Sequence, residues 1–402
     1  MTDKRTEMHN KVTVRTSKPP RMANLELLRC IAMMMVIVLH FLGKGGLLVD
    51  LTGESLGATG TIAWLLESFA IVAVNVYMLI SGYFLCTSTF KLSRLLQLLL
   101  QIWFYSVIFG LLGALTGVLA EVSFDIHYLL TLMFPVAMEH YWFMTAYVFL
   151  YLLIPFIGPV VQKMSRQQMQ YAIGLLLIAF CVMKSVLPVR LETDKMGYDC
   201  LWYLCVFLTA AYVRRFGIPV LEKKWRGILL YLVGSLLVFA GTLGLRQLYL
   251  HTGSLERMLK VCMEYNHILP FAAAVGLFVA FTRLKTGNKI SGVINAIAPY
   301  TLGVYLLHEN IGLRYSWQKW LGTARVNSVG SLLLWTAVAV VCVFACGVLA
   351  DVIRKILFGV AHRVFGKIGM YRKLIDKIYA VDEAFREKNT VLSGNGISEG
   401  DK

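Results

Sequence analysis

Arg29 and His40 stand eleven residues apart in NLELLRCIAMMMVIVLHFLG, residues 24–43, a run otherwise apolar enough to be a membrane helix. Eleven residues make about three helical turns, so both side chains leave one face, separated by about 16 Å along the axis. An ionisable group in hydrocarbon is costly and marks a functional site by default. Arginine fits phosphate or carboxylate with paired, directed hydrogen bonds. Histidine can take a proton near neutral pH. One face of one helix therefore offers an anion anchor and, three turns away, a general base or nucleophile. Snorkelling of Arg29 to one interface, with His40 at the other, is the plain alternative. Glu26, three residues before Arg29, is spaced to pair with it.

Other polar residues fall at matching depths. In KLSRLLQLLLQIWFY, Arg94, Gln97 and Gln101 recur at helical spacing and form a stripe. Lipid is a poor solvent for such a stripe, so it is expected to face the bundle or a water-filled cavity. With Arg29 it would make a cationic mouth for a phosphorylated ligand. Glu139, His140 and Trp142 open the segment MEHYWFMTAYVFLYLLIPF, and His308 and Glu309 lie late in APYTLGVYLLHENIG. His40, His140 and His308 are thus expected at similar depth, beside acids, as candidate walls of a substrate pocket. The sequence has no glycine-rich phosphate loop, no H-E-x-x-H and, in its apolar segments, no G-x-S-x-G elbow. Its eight cysteines form no C-x-x-C pair and imply neither metal nor disulfide.

The elements that must position these residues are membrane helices. The 402-residue chain is 58% hydrophobic and 15% charged, with a mean hydropathy of +0.67, far from a soluble composition. The net charge of +16 resides in short clusters between apolar runs. No basic face interleaved with aromatics is present, which excludes a nucleic-acid partner. Ten apolar segments occur near 25–43, 62–85, 92–118, 142–162, 171–189, 199–213, 228–245, 268–282, 297–313 and 328–350. With the N-terminus inside, four short inner loops hold twelve Lys and Arg, as the positive-inside rule requires. The expected fold is all-α, a polytopic membrane helical bundle of about ten transmembrane helices with both termini cytoplasmic. Residues 1–24 read as a basic cytoplasmic tail, 25–350 as the transmembrane domain, and 351–402 as a basic amphipathic helix on the cytoplasmic leaflet plus a disordered tail. No large soluble domain is expected.

With these landmarks in place, the chain resembles the membrane acyltransferases of the acyltransferase-3 type, which modify cell-surface glycans and related acceptors. The resemblance rests on Arg29-x10-His40, NVYMLISGYFL, YWFMTAYVFLYLLIP and YTLGVYLLHENIG, in that order, and covers most of residues 24–350. It implies acyl-CoA, most simply acetyl-CoA, as co-substrate, with no metal. Arg29 and His40 would then be the catalytic pair. Arg29, Arg94, Gln97 and Gln101 would contact the cofactor, and Glu139, His140, Trp142, His308 and Glu309 would wall the acceptor pocket. The basic cluster before the third segment is limited to Lys91 and Arg94. The implied acceptor is a cell-surface glycan or lipid-linked sugar at the plasma membrane. A transporter or flippase for a glycan or small anion is the competing reading. It predicts short or interrupted segments in matching halves of the chain, and none stands out.

Overall fold

The computed structural model describes residues 21–53, 55–116, 125–187, 192 and 194–394, and all regular structure among them is helical. In chain order the main elements are α1 (Ala23–Lys44), α2 (Gly57–Leu85), α3 (Leu92–Thr116), α4 (Trp142–Lys163) and α5 (Arg166–Val186). They continue with α6 (Cys200–Phe216), α7 (Lys224–Thr252), α8 (Glu256–Thr282), α9 (Asn288–His308), α10 (Val329–Phe365) and α11 (Gly369–Gly394). Nine of these, all but α6 and α11, are long and apolar enough to cross a membrane. At 17 residues α6 is about 25 Å long, short against a hydrocarbon core of about 30 Å. It tolerates this because the bundle surrounds it: Trp202, Tyr203, Cys205, Val206, Phe207, Ala210 and Ala211 are all buried.

Hydrogen bonds between helix ends sort the bundle into two layers. In the first, Asn24 at the start of α1 donates to the Phe281 carbonyl at the end of α8, 2.9 Å. Arg214 of α6 donates to Tyr83 of α2, 2.9 Å, and Gln162 of α4 to Cys86, 3.0 Å. Arg166 of α5 donates to the Tyr212 hydroxyl, 3.2 Å. In the second layer, Lys44 pairs with Glu309, and Lys184 at the end of α5 with Asp194 and Glu264. There Arg246, late in α7, donates to the Gly53 carbonyl, 2.7 Å. The ends alternate between layers from α1 to α9, so α6 also crosses. The first layer gathers Lys91, Arg94, Lys163, Arg166, Arg214 and Arg215 and is the cytoplasmic one by the positive-inside rule.

The expected boundary at residue 350 is not a helix end, because α10 runs on to Phe365. Asp351 and Arg354, which make the sequence look as though the span stops there, are satisfied inside the bundle. The Asp351 carboxylate accepts from Gln101 (2.9 Å), Tyr105 (3.0 Å) and Arg354 (2.6 and 3.0 Å). The amphipathic helix is present as α11, but it is docked rather than merely surface-lying. Asp382 accepts from the Ser93 backbone N–H at 3.2 Å and from its hydroxyl, and Phe385 packs on Phe90 with ring centroids 5.0 Å apart. The expected N-terminal tail, up to residue 20, and the end of the C-terminal tail from residue 395 lie outside the described residues.

Apolar side chains on α7 and α10, such as Leu229, Leu236, Leu334 and Val341, are exposed on the outside of the bundle, as a lipid-facing surface requires. Inside, α9 and α10 meet through two glycines. A Cβ on Gly347 would lie 2.5 Å from Val304 Cα, and one on Gly303 would lie 2.4 Å from Asp351 Cβ. Without a hydrophobic drive between helices in lipid, this close backbone packing is what holds them together.

Candidate active site

α9 ends at His308, one turn after Val304. The His308 Nδ1 lies 2.6 Å from the Val304 carbonyl oxygen and can only donate to it. With one proton per ring, His308 Nε2 is then an acceptor, and His40 Nδ1, 3.0 Å away, is its donor. Glu309 Oε1 lies 3.2 Å from the same His40 Nδ1 and also takes the Lys44 ammonium. These partners assign the His40 proton to Nδ1 and leave Nε2 with a lone pair. The chain after α9 locks the arrangement: Trp317 Nε1 donates to the His308 carbonyl at 3.1 Å and Gln318 Nε2 to the His40 carbonyl at 3.2 Å. Asn310 donates to the Tyr105 carbonyl (3.0 Å) and the Tyr141 hydroxyl (3.2 Å).

His40 lines a cavity of about 40 Å³. Its floor is α1, where Met33, Val36 and His40 recur at intervals of three and four. Tyr77 of α2, Trp142 and Phe143 of α4, Tyr265 of α8 and Leu302 and Tyr305 of α9 form the remaining walls. Arg29 continues the α1 stripe one turn closer to the cytoplasm. Its guanidinium donates to Glu26 at 2.7 Å and is partly exposed. It lies within electrostatic reach of the hydroxyls of Tyr77 and, together with Arg94, of Tyr147.

The structure divides the remaining sequence candidates. His308, Glu309 and Trp142 gather at His40 or its cavity. His140 is at the same end of the bundle, but both its nitrogens are used elsewhere. Nε2 accepts the Ile311 N–H at 2.8 Å, and Nδ1 bonds the Ser106 hydroxyl at 2.9 Å, whose own O–H donates to the Leu132 carbonyl. Its ring stacks on Tyr141 at 4.0 Å. Glu139 is exposed, in a left-handed conformation with φ 50°. The stripe on α3 also splits. Arg94 and Gln97 are exposed, while Gln101 turns inward to Asp351.

Lys44 and Tyr305 belong to the site and were not legible as such. Lys44 lies one turn beyond His40 and reads as an interfacial anchor, and Tyr305 is one of nineteen tyrosines in the chain. His40, His308 and Glu309 bring atoms of metal-ligand type within 4.8 Å of one another. Yet the Lys44 ammonium already holds the carboxylate, and the facing imidazole nitrogens bond each other. The set fits a hydrogen-bonded relay better than a cation site.

The geometry is that of a base or nucleophile at the end of an apolar membrane chamber, with a cationic group on the same helix nearer the cytoplasm. Comparison with known families matches residues 22–351 to the acyltransferase domain of the acyltransferase-3 type. Neither a curated protein nor a solved structure matches the chain. The matched stretch runs from the start of α1 to Asp351 and contains every group of the site, and the chain belongs to the acyltransferase-3 family.

Proposed function

We propose that this membrane acyltransferase moves a short acyl group, acetyl in the simplest case, from acyl-CoA to a hydroxyl of a cell-envelope glycan or lipid-linked sugar at the plasma membrane. The observation that carries this reading is the His40 tautomer. An imidazole whose Nδ1–H is held by His308 and Glu309 keeps its Nε2 free for an incoming hydroxyl. Arg29 serves the anionic end of the donor from the cytoplasmic side, with Lys91 and Arg94 in the same layer of the bundle. The thioester reaches His40 along the Met33–Val36 stripe, and the acceptor hydroxyl arrives from the outer layer. His40 Nε2 takes the hydroxyl proton as the oxygen attacks the thioester carbon. It then returns that proton to the departing CoA thiolate. A cavity of about 40 Å³ has room for roughly two or three water-sized groups, which favours acetyl over longer chains.

Mass spectrometry of envelope glycans tests the reading. Cells lacking the protein should lose an acyl substituent, and supply of the intact gene, but not of His40→Ala, should restore it. An unchanged glycan mass profile would remove the acceptor assignment. Purified protein that releases no CoA from acyl-CoA in the presence of those glycans would remove the donor as well.

A further inference from the structure

Several tyrosine hydroxyls buried in this bundle have structural partners. Tyr141 donates to the Leu306 carbonyl at 3.0 Å, Tyr105 to Asp351 at 3.0 Å and Tyr231 to the Phe69 carbonyl at 3.0 Å. Tyr203, Tyr77 and Tyr305 break the pattern, the last two of them in the wall of the His40 cavity. The hydroxyls of Tyr77 and Tyr305 are buried with no partner in hydrogen-bonding geometry. Thr301 approaches Tyr77, and the Phe143 backbone in the first turn of α4 approaches the Tyr305 oxygen. Folded proteins rarely leave a buried polar group unused, and each exception calls for an explanation.

Tyr305 has the better position. It is 6% exposed, lies three residues before His308 on α9, and meets the His308 ring edge to face with centroids 6.1 Å apart. Its helix is immobilised behind it, where Gly303 and Val304 lie against Asp351 and Gly347. With no protein group in hydrogen-bonding geometry at the phenol oxygen, its proton is free to point into the cavity. A rigid donor beside a free base, inside an apolar chamber, is the arrangement that stabilises charge developing on a carbonyl oxygen.

Resting on the function proposed above, we infer that Tyr305 is a catalytic residue whose hydroxyl donates to the thioester carbonyl oxygen of the donor. The acceptor oxygen forms a bond to the carbonyl carbon while its proton passes to His40 Nε2. The carbonyl π pair moves onto oxygen, where the Tyr305 O–H holds it. The pair then re-forms the double bond, the C–S bond breaks, and the thiolate leaves with the proton from His40. The products are an ester and CoA thiol, and Tyr305 ends unchanged.

Tyr305→Phe removes the hydroxyl and keeps the ring. It should lower kcat by about 10²–10³-fold, the usual cost of one oxyanion donor, with KM for acyl-CoA changed less than about threefold. Because the hydroxyl has no structural partner, the melting temperature in detergent should stay level or rise. Two donor analogues separate this role from packing. A ketone analogue, with CH2 in place of sulfur, retains the carbonyl, and an S-alkyl CoA thioether lacks it. Tyr305→Phe should weaken the ketone analogue and leave the thioether unaffected. Unaltered kcat, a lowered melting temperature, or equal weakening of both analogues would overturn the assignment while leaving acyl transfer intact. A wild-type protein that transfers nothing from acyl-CoA removes the function proposed above and this role with it.

Discussion

Replacing His40 and His308 singly and together tests whether the two rings act as one unit. His40→Ala removes the nitrogen that faces the cavity. Loss of a general base costs about 10²–10⁴-fold in kcat, or about 2.7–5.4 kcal/mol at about 1.36 kcal/mol per decade. His308→Ala removes the acceptor 3.0 Å from His40 Nδ1, but Glu309 Oε1 remains 3.2 Å from that same atom. One neutral hydrogen bond is worth about 0.5–1.5 kcal/mol, so the single loss should be roughly 2- to 13-fold. In the double variant there is no longer a ring to orient. Its rate should equal that of His40→Ala, giving a coupling energy equal to the whole His308 effect. Release of CoA thiol by membranes of matched protein content, across donor concentrations, measures all four rates. A double variant slower than His40→Ala by the full His308 factor would show two independent contributions and refute the relay.

Arg29→Ala should raise KM for acyl-CoA by roughly ten- to a hundredfold, the value of one charged hydrogen bond, with kcat nearly unchanged. An unchanged KM would return Arg29 to a purely interfacial role. Gly303→Ala places a methyl 2.4 Å from Asp351 Cβ; overpacking of about 1–3 kcal/mol should lower the melting temperature and the rate together. A stable, fully active Gly303→Ala protein would contradict the rigid contact of α9 with α10. On a cysteine-free background, Cys at position 50 should label from outside and Cys at position 166 from the cytoplasm. The reverse pattern would invert the topology.

Helix positions were legible because each span is an apolar run closed by charge, and lipid leaves the backbone no other way to satisfy itself. Depth was legible too: counting residues along a span set His40, His140 and His308 at one end of the bundle. Rotation was not. Whether a ring faces a chamber or a neighbouring helix depends on packing, and here it gives His140 to Ser106 and Ile311. Long-range pairing was equally hidden. Lys44 finds Glu309 across 265 residues and Gln101 finds Asp351 across 250, and no local pattern announces either. The end of α10 was misplaced for the same reason, since Asp351 signals a boundary only while its partners are unseen. α11 was legible as a helix, but the Asp382–Ser93 contact that docks it joins residues 289 apart.

The single straight face shared by Arg29, Met33, Val36 and His40 makes α1 a ruler. On the proposed reading, one end marks where the donor is gripped and the other where its thioester must lie. The donor arm has a fixed length whatever acyl group or acceptor is involved. The interval should therefore tolerate no drift while the outer loops change freely. One residue inserted between Val36 and His40 would advance His40 by about 1.5 Å and turn it by about 100°, out of the chamber. Seven inserted residues would return it close to the same face but about 10 Å too far along the axis. Neither helix would lose its fit to the membrane, yet in both the graduation would no longer match the object measured.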